Sequence, residues 1–136
     1  MNGDSQTGQA SDGVKTLESA HSFPETVSRL KAALESHAIK IFAIIDQQAE
    51  ARAAGLEMPP LTLILFGNPK AGTPLMIARP ESGLDLPLKA MVWADAAGGV
   101  FVSMNAASYV IARHHLPEAL LGNIAPAGGL VAAALR

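Results

Sequence analysis

The sequence predicts a small α+β domain: one mostly antiparallel sheet with helices packed on one face, in the order strand, helix, four strands, helix, with short extra helices. Three observations carry this expectation. The chain has 136 residues, of which 49% are hydrophobic and 16% charged, enough apolar material for one core and little more. Its apolar runs are short and bounded by Gly and Pro, and only the first connection is long enough for a confident crossover between parallel strands. Late in the chain, Leu88 to Ala94 and Val100 to Met104 alternate with period two around Asp95 to Gly99, which reads as a hairpin.

The elements follow in order. Residues 1–12 are Gly/Ser/Gln-rich and carry little to bury, so a flexible tail is expected there, with the domain spanning 13–116. Val14 to His21 is a strand with broken alternation. Ser22 and Glu25 have capping-box spacing, Pro24 sits in the first turn, and Phe23, Val27, Leu30 and Leu34 form one stripe, predicting a helix to about His37. Ile39 to Ile45 is apolar at both parities and reads as a central strand ended by Asp46. Gln47 to Ala54 is a short helix stopped by Gly55, and Leu61 to Phe66 a second buried strand. Thr73 followed by Pro74 reads as a cap and first helical residue after a loop from Gly67 to Gly72. Asn105 is placed to cap a helix from Ala106 to about His115. The Ala/Gly-rich stretch 117–136 stands apart in composition as a C-terminal extension: a loose tail, a docking helix or a partner-binding segment.

Composition excludes several functions. Without cysteine there are no disulfides, thiolate metal sites, cysteine nucleophiles or iron–sulfur clusters, and a reducing, cytoplasmic location is expected. A net charge of -2 and dispersed Lys and Arg speak against nucleic-acid binding. No apolar run approaches the roughly 20 residues of a membrane span, and the first residues lack the pattern of a signal peptide. His114 and His115 are adjacent, so on a helix they diverge by about 100° and cannot readily chelate one ion. No metal and no cofactor are expected.

Two groups of residues could carry chemistry. A buried strand leads through Phe66-Gly67-Asn68-Pro69-Lys70-Ala71-Gly72 into Thr73 and Pro74, so free N–H groups at a helix start, with Asn68 and Lys70 beside them, could hold a small anion. The alternative is that the glycines and prolines only shape a turn and Thr73 caps its own helix. The spacing echoes a phosphate-binding loop, but the lysine that should follow the second glycine is absent. The second group is Asp46 with Arg113 and His114, in which His114 would move protons near neutral pH if the three met in one cleft. Against it, Asp46 also reads as a helix cap, and cations near a helix C-terminus are favourable with the dipole alone.

Ile45-Asp46 with the Ala-rich helix after it, the run from Phe66 to Met76, Asp85-Leu86-Pro87-Leu88-Lys89 with Val92-Trp93, and Arg113-His114 together resemble the family known as domain of unknown function 302 over about Val14 to Leu116. The resemblance implies a TBP-like layout and a homodimer, and no established activity. At three places, Gln47, Ala94 and Met104, the chain departs from the family's usual residues. The expected function is therefore a dimeric, non-catalytic domain binding a small ligand, an anion among the candidates, or a protein partner. The alternative is an enzyme using Asp46, Arg113 and His114 in acid–base chemistry.

Overall fold

In a computed structural model, which describes residues 13–136, five strands form one antiparallel sheet in the spatial order β1-β5-β4-β3-β2. These are β1 (Val14–Glu18), β2 (Lys40–Asp46), β3 (Leu61–Gly67), β4 (Leu88–Ala94) and β5 (Val100–Asn105). The helices are α1 (Phe23–Ser36), α2 (Gln47–Ala53), α3 (Pro69–Ala78), α4 (Ala107–Arg113), α5 (Leu121–Ile124) and α6 (Pro126–Ala134), with 3-10 turns at Pro80–Leu84 and Glu118–Leu120. The expected α+β class is observed. The expected tail, residues 1–12, lies outside the described residues.

Local chemistry explains where the elements start. Ser22 Oγ accepts from Glu25 N at 3.2 Å and opens α1, as its capping-box spacing predicts. Asp46 Oδ1 accepts from Ala49 N at 2.9 Å and opens α2. Asp95 Oδ1 accepts from Ala97 N and Gly99 N and closes the β4–β5 hairpin, where Gly98 takes φ +89°.

Four expectations are corrected. First, α3 starts at Pro69, capped by Asn68, whose Oδ1 accepts from Lys70 N at 2.9 Å. Asn68-Pro69 and Thr73-Pro74 both match a cap followed by proline. The first is used because α3 then begins directly from β3 and carries Leu75 into full burial. Thr73 therefore lies within the helix and is not its cap, and Pro74 is an interior proline with no N–H for the Lys70 carbonyl. Second, β2 is an edge strand, not a central one. A bulge at Phe42 shifts its register against β3, and Phe42 and Ile44 are 44% and 43% exposed. Third, Asn105 ends β5, and α4 follows Ala106 without a side-chain cap. Fourth, β1 stops at Glu18, and Ser19 to Ser22 turn the chain into α1.

One sheet face carries the core. The register places Ile64, Phe66, Ala90, Val92, Val100 and Val102 on a common face, all buried, where they pack with Leu30 and Leu34 of α1. The stretch after Leu116, set apart by composition, supplies Val131, Ala134 and Leu135 to this same cluster. A second cluster joins Leu75 of α3, Val110 and Ile111 of α4, Leu116 and Ile124 of α5. On the opposite sheet face Leu63, Leu65, Met91 and Trp93 are half-buried and belong to neither cluster.

Candidate functional site

Where β3 ends and α3 begins, the sheet, α3, the segment Leu86–Leu88 and the C-terminal helices do not close on one another. They leave a cavity of about 610 Å³. Phe66 and Leu88 form its floor. Ala71, Gly72, Thr73 and Met76 line the α3 side, Leu86 and Pro87 a second wall, and Asn123, Ile124, Pro126, Ala127 and Leu130 a third. His37, Ile39 and Phe42 complete the rim. The inner surface is apolar: Phe66 is 1% and Ile124 5% exposed. The polar side chains of the lining are His37, Asn68, Thr73 and Asn123, and it contains no Lys, Arg, Asp or Glu. Of these, His37, Asn68 and Thr73 are exposed and Asn123 is half-buried.

The start of α3 is chemically closed. Pro69 has no N–H. Lys70 N is bonded to Asn68 Oδ1, and Ala71 N and Gly72 N both reach Asn68 O, at 2.9 and 2.8 Å. The donors of the first turn, which at an open helix end would attract an anion, are therefore taken. Lys70 is exposed and absent from the cavity lining. Asn123 Nδ2 donates to Ala71 O at 2.9 Å, tying α5 to α3 across the cavity's side.

The second candidate group does not assemble as the sequence reading required. Arg113 Nη1 donates to Asp85 Oδ1 and Oδ2 at 3.1 and 3.0 Å, and Asp85 Oδ2 accepts from His114 Nε2 at 2.5 Å. The partner of both is thus Asp85, not Asp46. Asp46 pairs with Thr62 at the start of β3, whereas Phe66 at its far end pairs with Leu88, just beyond Asp85. Four strand residues separate the two levels, roughly 13 Å along the sheet. Asp95 stands on the β4–β5 hairpin at the Asp46 end and is occupied by its own turn.

Asp85 is 9% and His114 8% exposed, while the Arg113 side chain remains 45% exposed. The cluster is a clamp. It holds the segment entering β4 against the end of α4, and so fixes Leu86, Pro87 and Leu88, which wall the cavity. Sequence reasoning quoted Asp85 only as part of a motif, because an acid after a 3-10 turn has no pattern of its own. Asn123 lies in the Ala/Gly-rich C-terminal extension, where no motif singles it out.

The family model described as "Domain of unknown function DUF302" matches residues 15–128. This chain belongs to that family. A solved structure of an uncharacterised conserved DUF302 protein from Bacillus stearothermophilus shares the fold with a TM-score of 0.76 at 19% identity, covering 90% of this chain and 95% of that one. Two curated relatives are 42% identical over 104 residues: "Fluoride-specific ion channel FluC 1" from Brucella suis biovar 1 and the protein of the same name from Brucella abortus biovar 1. The match covers 76% of this DUF302 chain but only 41% and 38% of those proteins, so the chain spans about two fifths of the relatives' length. Among the described residues no helix is long and apolar enough to cross a membrane.

Proposed function

We propose that this DUF302 domain binds a small molecule in the cavity between β3, α3 and α6, without catalysing a reaction on it. The observation that carries this reading is the cavity itself. At about 610 Å³ it falls in the size range of ligand sites, is apolar inside, and has polar groups at its rim. Support for catalysis is weak by comparison, since Asp46 is remote from Arg113 and His114, and the latter two are engaged by a largely buried Asp85.

Methionine methyl groups provide a direct test. Met76 lines the cavity, and Met91 lies on the opposite sheet face. Titration of methyl-labelled protein with the uncharged fluorophore N-phenyl-1-naphthylamine should move the Met76 resonance and leave Met91 in place. Movement of Met91 alone would place binding on the sheet face and remove the reading.

A second feature supports self-association. Leu63, Leu65, Met91 and Trp93 form a half-buried apolar surface that belongs to neither core cluster. Lys89 on the same surface donates its Nζ to Pro87 O at 3.1 Å. A second copy could lie on this face without opposing like charges at its centre, and a two-fold arrangement would cover both copies at once. The Brucella proteins are channels by name, but they are more than twice as long as the matched stretch, and channel activity is not carried over to this chain.

A further inference from the structure

We infer that the ligand of the α3 cavity is an uncharged amphiphile, a chain-like or flat apolar body with one hydrogen-bonding polar end, of the class of medium-chain alcohols and aldehydes. This rests on the reading that the cavity is a binding site, and specifies what it selects.

Charge decides against ionised ligands. No Lys, Arg, Asp or Glu faces the cavity, and the one histidine of the lining, His37, is an exposed rim residue whose Nδ1 lies 2.9 Å from Ala33 O, so a carboxylate, phosphate or ammonium group drawn inside would lose its hydration without gaining a buried counter-ion. The feature that could replace a cation, the N-terminus of α3, offers nothing: Pro69 has no N–H, and the next three donors all end on Asn68. Neither of the two lysines flanking the site in sequence, Lys40 and Lys70, lines the cavity, and Lys40 is engaged by the rim residue Phe42, its Nζ 5.0 Å from the ring centroid.

Hydrogen bonding sets the orientation. Among the described residues the Asn68 Nδ2 group and the Thr73 hydroxyl have no partner, whereas Asn68 Oδ1 and Asn123 Nδ2 are occupied. Both open groups belong to exposed residues, the cap of α3 and its fifth residue. A neutral hydroxyl or carbonyl can pair with them while the hydrocarbon lies against Phe66, Ile124 and Leu130. The buried lining residues, Phe66 and Ile124, carry no side-chain polar group to satisfy.

The experiment compares 1-hexanol, 1-octanol and 1-decanol with hexanoate, octanoate and decanoate at pH 8, each displacing N-phenyl-1-naphthylamine. Alcohol affinity should rise up to roughly fourfold per methylene, the factor corresponding to burial of each CH₂, and 1-decanol should bind at least tenfold tighter than decanoate. The Lys40→Met/Lys70→Ala double variant should bind 1-decanol as wild type does. Gly72→Leu, which projects into the cavity where a Cβ meets only Leu86 Cδ1 at 4.0 Å, should lose binding while melting no lower than wild type. Decanoate binding as tightly as 1-decanol, or loss of 1-decanol binding in the double variant, would overturn the selectivity for neutral ligands but leave the site. Failure of the fluorophore and every ligand to bind, or unchanged binding in Gly72→Leu, would overturn the site itself.

Discussion

Single residues decide two local conformations here. Gly13 takes φ +84°, and a Cβ there would stand 2.2 Å from Tyr109 Cγ, well inside contact distance. The glycine thus lets the start of β1 lie against α4, where Gly13 O accepts from Ala106 N at 2.7 Å. Gly13→Ala should combine strain with displacement of Tyr109 and cost on the order of 2 kcal/mol, measurable by urea unfolding. A second contrast lies at α3. Asn68→Ala removes the cap and should cost about 1 kcal/mol. Thr73→Ala, in mid-helix, should leave stability within about 0.5 kcal/mol or raise it, since alanine is the better helix former. Equal losses in the two variants would return the cap to Thr73.

At the scale of elements, the junction of α4 with the segment before β4 joins a charged cluster to the apolar packing of Leu86 and Leu88 against the core cluster of Val110 and Ile111. Asp85 is nearly buried and takes three hydrogen bonds, two from Arg113 and one from His114. Asp85→Ala would strand the buried His114 ring nitrogen, though the half-exposed Arg113 can turn to water. The expected cost is about 2–3 kcal/mol, below that of breaking a fully buried pair. Because Leu86 to Leu88 follow directly, the same variant should weaken ligand binding without touching the lining. Thermal melting with displacement titration checks both. Unchanged stability would show that the apolar contacts of Leu86 and Leu88 suffice to hold the wall.

The whole molecule is a two-layer object with one finished side. Helices α1 and α6 cover one sheet face; the other exposes Leu63, Leu65, Met91 and Trp93 in part, and Trp93 stacks on Phe101 with ring centroids 4.8 Å apart. If a second copy covers this face, sedimentation equilibrium at micromolar concentration should return twice the monomer mass. Met91→Lys should return the monomer with an unchanged far-UV spectrum, because the side chain is not part of either core cluster. A monomeric wild type would remove the proposed dimer.

Much of this was legible in the residues. Cap spacings at Ser22 and Asp46, the apolar runs of β3 and β4, and the hairpin around Asp95 are local signals, read within a few residues of chain, and local hydrogen bonding decides them. The sheet class followed from those elements and from connections too short for parallel crossovers. What the tertiary structure alone decided is position across the sheet and convergence over long separations. Ile39 to Ile45 reads as central because apolarity reports burial and not strand order, yet β2 lies at the edge. Asn68-Pro69 and Thr73-Pro74 are equivalent as local patterns, and only the docking of Leu75 into the second core cluster separates them. Asp85 meets Arg113 and His114 across 28 and 29 positions, and Asn123 meets Ala71 across 52. No periodicity in the chain encodes such encounters, because they depend on how completed elements pack, and the cavity is the space which that packing leaves unfilled.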